Sequence, residues 1–525
     1  MQSLFEFSYS LRVFFMRSNP CFSQFSRTFT AFVVCFYCFN ANAVAQVHYY
    51  ENGSPWNRKA NSGPDSMVPG WFYNLGITGL RVELTSDQPK TLLVRYVFED
   101  SPASRKITAG DRIVGVNGNL FTKSHQNGYG MNVFGAVGPI SEFANALESA
   151  QGKKNGGRFE LMIRRGNEQR NIVLDVGKRY GVYADSFPDS CEKTDLILTE
   201  LLDALVKNQK SDGSFGNAVH NTFAPLALLA SGKRKHFQAA ERCVEFHCRE
   251  TKSTDNRVSG LINWRYMSAA IVVSEYYLQT KKAWVIPELQ QIHDYLAESQ
   301  YLKMSQINPR SKESHPASYP KGPADARGGW GHNPGFEGYG PIAMLTGQGA
   351  LAYAMMHRCG IKVDRNKHDA AYDFLKRATG ANGYVWYEDQ LGGGPESWAD
   401  MGRTGAAGIA NFLSPYEDSV YLQRARKHAE VIGEHPESFP DTHGSPVMGM
   451  GYTALAANVD PASFRKLMNA NRWWFTLAQC HNGGFYYQPN RDNAGYGPDA
   501  RMLTSSVVAF IFSIPKHNLV VTGRD

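Results

Sequence analysis

The sequence TGQGALAYA occupies residues 346–354, and two similar runs follow it, TGAAGIA at 404–410 and TALAA at 453–457. Such runs of glycine and alanine predict helices whose backbones approach one another closely. Longer amphipathic segments alternate with them, so the region after residue 190 is predicted to be entirely helical. The predicted helices cover 195–208, 222–231, 236–250, 264–281, 286–303, 341–358, 366–379, 401–412, 418–433, 446–457, 461–478 and 501–513.

A glycine-aromatic loop recurs between the predicted helix pairs. Its clearest copies are QKSDGSFG (209–216), RGGWG (327–331), NGYVWY (382–387) and CHNGGFYYQ (480–488). A repeat of this size indicates that each helix pair cannot bury its apolar face alone and must stack on its neighbours. Six pairs would close an all-α (α/α)6 toroid over residues 190–525, and an open helical solenoid is the alternative.

A second domain is predicted over residues 70–178. Segments 92–98, 111–118, 158–165 and 170–176 have the alternating or continuous apolar pattern of short strands. One amphipathic helix is predicted at 140–151, where Phe143, Ala144 and Leu147 share a face. The chain is therefore expected to have several domains, with a small β-rich α+β domain before the toroid.

The first 45 residues have the pattern of a secretory signal peptide. Arg17 and Arg27 precede the apolar run at 29–39, which is followed by small residues. We expect the protein to be exported to the periplasm, the cell surface or the medium, and an uncleaved membrane anchor is the alternative. Met16 is a second candidate start, and the Gly-, Pro-, Ser- and Asn-rich segment 46–69 is predicted to be a linker.

Composition excludes several classes of protein. The formal charge of +7 falls to +5 without the leader, which holds three arginines and one glutamate, and the charge is dispersed, so no nucleic-acid partner is expected. Five of the eight cysteines follow the leader, and an odd number spread over a large domain predicts buried apolar side chains rather than a disulfide framework.

The stretch SPASRKITAGDRIVGVNG (101–118) resembles the centre of a bacterial PDZ domain of the HtrA type. The segment NLGITGLRV (74–82) resembles the carboxylate-binding loop of those domains. The resemblance implies a peptide C-terminus or a protein strand edge as partner, bound by the backbone of this loop. The implied peptide-binding residues are Leu75, Gly76, Ile77, Thr78, Gly79 and Leu80. The alternative is a PDZ-shaped module that packs on its neighbour and binds no free peptide.

The helical region resembles the α/α toroids of the terpenoid cyclase and protein prenyltransferase superfamily, through QKSDGSFG and GGWG. Its combination with an N-terminal PDZ-like domain is similar to a family of large exported bacterial proteins. The D-x-D-D and D-D-x-x-D motifs of the cyclases do not occur in the sequence, and the cysteines lack a zinc-binding setting. We therefore expect neither a metal nor another cofactor.

In a ring of this kind the loops that enter the inner helices converge at one end. We expect this mouth to be lined by Glu337, Tyr339, Trp398, Asp441 and Tyr496, with Asp400, Arg403, His443, Asp499 and Arg501 as candidate catalytic residues. Aromatic faces beside acids and arginines suit sugars, so polysaccharide is the expected ligand there. The alternative for Asp400 and Arg403 is a structural i,i+3 pair at a helix start.

Two functions follow from these patterns. The first is an exported binding or scaffold protein, in which the PDZ-like domain captures peptides and the toroid has a ligand of its own. The second is a carbohydrate-active enzyme, a polysaccharide lyase or a glycoside hydrolase, that uses the central funnel. No catalytic motif in the sequence decides whether the chain is an enzyme.

Overall fold

A computed structural model of the 525-residue chain describes residues 71–85, 87–125, 136–392, 398, 400–416, 419–440, 446–488 and 501–524. The predicted leader (1–45) and linker (46–69) lie outside these residues. The described residues begin with a β-rich part and continue into a long helical part.

The β-rich part is an antiparallel sheet that carries one helix. The strand order is β1-β2-β3-β4-β6-β7, and the short β5 pairs with β4. Helix α1 packs on β4 and β6, where the rings of Phe143 and Phe159 meet edge to face at 5.1 Å. The strands are β1 (Trp71–Asn74), β2 (Leu80–Leu84), β3 (Leu92–Val97), β4 (Arg112–Val116), β5 (Asn119–Leu120), β6 (Arg158–Arg165) and β7 (Glu168–Asp175), and α1 is Pro139–Ala150.

The residues of the PDZ-like signature have local structural roles. Asn117 and Gly118 both have positive φ, 49° and 78°, as a two-residue type I′ turn between β4 and β5 requires. The buried Asp111 accepts hydrogen bonds from Arg165 Nε at 2.8 Å and Nη2 at 2.7 Å, and from the Thr108 amide at 2.9 Å. These contacts fix the start of β4 against β6.

The helical part alternates outer and inner helices in six pairs. The outer helices are amphipathic, whereas the inner helices are buried on nearly all sides. In the described part of the chain no helix is long and apolar enough to cross a membrane. The helices of the ring are α2 (Glu192–Asn208), α3 (Ala218–Ala230), α4 (Arg234–Glu250), α5 (Ile262–Thr280), α6 (Ile286–Ser299), α7 (Ala343–Arg358), α8 (Arg365–Ala378), α9 (Gly402–Phe412), α10 (Ser419–Glu434), α11 (Pro446–Ala457), α12 (Pro461–Ala470), α13 (Arg472–Ala478) and α14 (Arg501–Ser513), and a single helical turn at Ser311–Ser314 lies in the long loop before α7.

The inner helices form a closed ring, which confirms the predicted toroid and excludes the open solenoid. Each of α3, α5, α7, α9, α11 and α14 packs on the next, and α14 packs on α3. Glycines permit the closest approaches: a Cβ on Gly405 would lie 2.4 Å from the Tyr452 carbonyl carbon, and a Cβ on Gly402 would lie 2.5 Å from the Gly449 Cα. Larger residues would hold these backbones apart.

The contacts between inner helices also show that they run in one direction. Gly405 faces Tyr452, and Gly347 faces Ala406, so equivalent turns of α7, α9 and α11 lie side by side. Thr222 on α3 donates to Ser268 on α5, near the start of both helices, at 2.8 Å. Their N-termini therefore lie at the same end of the ring.

One predicted helix is divided in the structure, whereas the cysteines are in the state that the sequence predicts. The segment 461–478, predicted as one helix, is two helices, because the chain leaves helical geometry at Asn471 (φ −109°). The Asn471 side chain donates to the carbonyl groups of Pro436 at 2.7 Å and Leu467 at 2.8 Å. The five cysteines after the leader are buried and unbridged, as predicted.

The C-terminal segment 518–524 connects α3 to α5 by hydrogen bonds, at the end of the ring opposite the N-termini of the inner helices. The buried Glu275 of α5 accepts hydrogen bonds from the amides of Val520 at 2.9 Å and Val521 at 3.2 Å. Asn518 donates to the Ala230 carbonyl at the end of α3 at 2.7 Å. Burial raises the pKa of Glu275 to about 7, although the two amides and Arg524 act in the opposite direction.

We expect Glu275→Gln to remove one component of the pH dependence of stability. The raised pKa means that Glu275 binds more protons in the folded than in the unfolded state between pH 4.5 and about 7, so its own contribution to the free energy of unfolding falls as pH rises through this range. The contribution amounts to about 3 kcal/mol. Urea unfolding at pH 5, 6, 7 and 8 should show that the difference in free energy of unfolding between the wild type and Glu275→Gln falls as pH rises, whereas the difference between the wild type and the exposed control Glu245→Gln stays constant. If the free energy of unfolding depends on pH equally in Glu275→Gln and in the wild type, the pKa of Glu275 is not raised by folding.

Candidate functional site

The loops that precede the inner helices meet at one end of the ring, because all the inner helices begin there. We call this end the mouth. The glycine-aromatic loops repeat one local structure at the mouth, in which the Lys210, Gly380 and Cys480 amides donate to the carbonyl group four residues later at 2.8–2.9 Å. The intervening Gly213, Gly383 and Gly483 have φ of 91–104°, so glycine is required at this point of the turn.

Each of these loops is also tied to the inner helix that follows it. The Trp330 amide donates to the Thr346 hydroxyl at 3.2 Å, the Val385 amide to the Thr404 hydroxyl at 3.1 Å and the Phe485 amide to the Ser505 hydroxyl at 2.9 Å. The threonines of the TGQG and TGAAG runs therefore anchor loops, and most residues of the glycine-aromatic loops have a structural role.

A continuous series of rings crosses the mouth, and we call it the aromatic arc. Its first half joins α5 to the long loop before α7. Trp264 stacks on His332 with centroids 5.9 Å apart and donates its indole N–H to Nδ1 at 2.8 Å. His332 packs against Tyr339 at 5.0 Å, whose hydroxyl lies 2.6 Å from that of Tyr387. Burial lowers the pKa of His332, which favours the neutral ring.

The second half of the arc continues through Arg403 to Trp398. Arg403 lies 5.7 Å from the centroids of both the Tyr384 and Tyr387 rings and donates to the Tyr384 hydroxyl at 2.8 Å. Tyr384 meets Trp398 edge to face at 5.7 Å, and Trp398 stacks on His435 at 3.7 Å. The arc therefore runs from the first turn of α5 to the end of α10.

Two predicted charged residues are paired beside the arc. Arg403 Nη1 lies 3.6 Å from Asp400 Oδ2, and both side chains are largely buried. This is the i,i+3 pair that the spacing predicts at the start of α9. Asp400 and Trp398 have φ of 57° and 58°, values that L-residues adopt at a cost in strain. Two strained residues on one short segment are typical of functional sites.

Glu337 is a second carboxyl group at the mouth, two residues before Tyr339. Its Oε2 atom is buried and has no hydrogen-bond partner among the described residues. Burial raises the pKa of Glu337, against the effect of the backbone amides around Gly340. Glu337 therefore retains its proton to a higher pH than an exposed glutamate would.

The remaining predicted site residues are not placed by the described structure. Asp441, His443, Tyr496 and Asp499 lie outside the described residues, and so does the side chain of Arg501, the first residue of α14. Among the residues that are described, no group of His, Cys, Asp or Glu is arranged to hold a metal ion.

Sequence reasoning missed five members of the arc: Trp264, His332, Tyr384, Tyr387 and His435. Tyr384 and Tyr387 belong to the repeated NGYVWY loop, so the repeat marked their position without showing which rings face the mouth. Trp264 begins the predicted helix 264–281 and His435 follows the predicted helix 418–433, so the two residues are 171 positions apart in the chain. Only the closure of the ring connects them.

The predicted peptide-binding loop, residues 75–80, is buried against the toroid. All six of its residues are buried, and α13 packs on this loop, on α1 and on β1. A Cβ on Gly76 would lie 2.5 Å from the Thr476 carbonyl oxygen. Asn74 donates to the Leu477 carbonyl at 2.8 Å, and Thr476 donates to Glu148 of α1 at 3.1 Å.

The residues expected to bind a peptide, Leu75, Gly76, Ile77, Thr78, Gly79 and Leu80, are thus covered in the described structure, and peptide binding there stays a prediction. One edge of β2 is paired with β3, and the other, which an added strand would need, is paired with β1. A free peptide could reach the loop only by displacing both β1 and α13. In the described structure this part of the chain packs on its helical neighbour through α13.

Residues 194–523, which span the ring, match a family described as a domain of unknown function, DUF6288. No curated protein shows significant similarity to the sequence.

Solved structures with a similar fold include three enzymes. An inactive variant of the α-1,6-mannanase of Salegentibacter, in complex with α-1,6-mannotriose, is 12% identical, with 61% of this chain and 98% of that chain covered and a TM-score of 0.46. The GH76 α-mannanase of Bacteroides thetaiotaomicron is 13% identical, with 61% and 94% covered and a TM-score of 0.43. A type II terpene cyclase of Scytonema is 12% identical, with 61% and 97% covered and a TM-score of 0.38.

Proposed function

The chain belongs to the DUF6288 family, and we propose that its ring binds polysaccharide at the mouth and cleaves it as a glycoside hydrolase. The aromatic arc is the observation that carries this proposal. Ring faces provide stacking platforms for sugars, and the polar groups beside them fix hydroxyl groups. Tyr339, in the middle of the arc, is 41% exposed and can receive a sugar ring.

Glu337 and Asp400 suit the two carboxyl roles of glycoside hydrolysis. One carboxyl group must donate a proton to the leaving oxygen and the other must be ionised. The raised pKa of Glu337 suits the proton donor. Asp400 Oδ2 lies 3.6 Å from the Arg403 guanidinium, on the same side of the mouth as the arc. We therefore assign Glu337 as the acid and Asp400 as the base or nucleophile.

A lyase mechanism fits the mouth less well. It needs a free cation to neutralise a uronate and a base such as tyrosine or histidine. Arg403 already engages Asp400 and Tyr384. Burial raises the pKa of Tyr387 well above its ordinary value, which makes this residue a poor base.

Incubation with a panel of neutral and uronate-containing glycans tests the reaction. We expect new reducing ends without the absorbance of unsaturated uronates. Unsaturated products would show that the protein is a lyase and not a hydrolase. If no glycan of a broad panel is cleaved, the proposed carbohydrate reaction is wrong.

Tyr339→Ala should weaken oligosaccharide binding about tenfold, because one stacking platform is lost. Isothermal titration with the best ligand of the panel measures the effect. The matched control is Trp284→Ala, since Trp284 is similarly exposed (42%) but precedes α6 at the opposite end of the ring. Equal affinities of the two variants would contradict binding at the arc.

We also propose that the β-rich part is a PDZ-like module that docks the toroid rather than capturing peptides. The Asn117–Gly118 turn and the burial of residues 75–80 under α13 support this role. Export through residues 1–45 likewise remains a proposal, and it suits an enzyme that acts on large extracellular polysaccharides.

A further inference from the structure

A small cavity opens on the outer wall of the ring, between α8, the end of α9 and α10. Its volume is about 120 Å³. We call it the outer pocket, and side chains of these helices and of Thr379, the residue after α8, build it. It is lined by Tyr372, Leu375, Lys376, Thr379, Asn411, Arg424 and His428.

Two cations border the outer pocket without a counter-charge. Its lining includes Lys376 and Arg424 but no aspartate or glutamate. Neither cation forms an ion pair with any residue in the described ranges. Arg424 is half-buried, with its guanidinium 5.8 Å from the Tyr421 ring centroid. The pocket is therefore positively charged and suits an anion.

The inner part of the pocket contains an acceptor without a donor. Asn411 is 3% exposed, and its amide N–H donates to the Ala407 carbonyl at 2.8 Å. Its Oδ1 atom has no hydrogen-bond partner within the described structure. Such an atom is satisfied by a donor from water or from a ligand.

The other polar groups of the pocket add acceptors rather than charge. His428 Nδ1 lies 2.7 Å from the Gly383 carbonyl and must donate to it, which leaves Nε2 unprotonated in the neutral ring. Burial lowers the pKa of His428 to about 4, so the ring is neutral at pH 7. The Tyr372 and Thr379 hydroxyls donate to the Ala410 and Leu375 carbonyls, both at 2.6 Å.

We infer that the outer pocket binds a small hydroxylated carboxylate of the sugar-acid class, such as a single uronate. Lys376 and Arg424 hold the carboxylate by charge-assisted hydrogen bonds. A hydroxyl group of the same ligand donates to Asn411 Oδ1. A fully ionised anion without hydroxyl groups leaves the acceptors unpaired, and a neutral sugar leaves the cations unpaired. This site is separate from the mouth and does not depend on hydrolysis there.

Titration of the full chain with glucuronate, glucose and sulfate tests the inference, read by calorimetry for all three and also by ligand-observed NMR for the two sugars. Glucuronate should bind more tightly than the other two. Arg424→Gln should weaken glucuronate binding about tenfold, whereas Arg426→Gln, an exposed change on the same helix outside the pocket, should leave it unchanged. Tyr339→Ala, at the mouth, should also leave this binding unchanged.

Four results would overturn the inference. They are no glucuronate binding by the wild type, equal binding by Arg424→Gln and wild type, glucose binding as tight as glucuronate binding, and sulfate binding as tight as glucuronate binding. Loss of binding in Tyr339→Ala but not in Arg424→Gln would place the acidic sugar at the mouth instead. Lys376→Gln provides a second variant at an exposed position, where folding is not at risk.

Discussion

Gly405→Val should unfold the ring or leave it insoluble, with a loss of at least about 3 kcal/mol in the free energy of unfolding. A Cβ at this position would lie 2.4–2.6 Å from three backbone atoms of Tyr452 and Thr453. Backbone atoms of a neighbouring helix cannot rotate away as a flexible side chain can. The two inner helices would have to separate, and this would open the ring between α9 and α11.

The matched control is Gly322→Val, because no atom lies within 4 Å of the Cβ position there and its φ is not in the left-handed region. We expect the control to change stability by less than about 1 kcal/mol. Urea unfolding and thermal melts of both variants measure the difference. Comparable stability of the two variants would show that α9 and α11 are not in backbone contact.

Glu337→Gln should lower turnover of the cleaved glycan by about 10²–10⁴-fold while the affinity for it changes little. Glutamine has nearly the same shape but cannot deliver a proton to the leaving oxygen. The wild-type rate should also fall as pH rises through the raised pKa of Glu337, because only the protonated acid is active. Single-turnover rates and binding titrations separate the two effects.

Glu313→Gln is the control for this change, since Glu313 lies in the same long segment before α7 and is exposed. It should retain the wild-type rate and pH profile. If Glu337→Gln keeps activity within tenfold of the wild type, Glu337 is not the proton donor and the catalytic assignment is wrong.

The ring was predictable from the sequence because its signals are local and repeated. Glycine and alanine runs mark the inner helices, amphipathic segments mark the outer ones, and each glycine-aromatic loop separates one from the next. The helix break at Asn471 was not predictable, because it depends on hydrogen bonds to residues of other elements. Strands β1 and β2 were missed for a related reason: β2 begins within NLGITGLRV, which has the composition of a loop, and the two strands form by pairing with each other.

The candidate site was predicted only in part. Glu337, Tyr339, Trp398, Asp400 and Arg403 were placed at the mouth, because every loop that enters an inner helix must lie there. Which of them touch could not be derived, since the arc joins residues from five separate segments. The buried loop at 75–80 illustrates a different limit of the sequence. Its motif resembles a binding site, but the sequence does not show that α13 covers it.

A crystal structure of Glu337→Gln soaked with the glycan that the wild type cleaves would locate the substrate relative to both carboxyl groups. We expect sugar rings packed along Tyr339 and Trp398, with the scissile oxygen beside residue 337 and the Asp400 side chain on the other side of the bond. Sugar bound elsewhere on the ring, or an occupied mouth in which Asp400 lies far from the bond, would contradict this expectation.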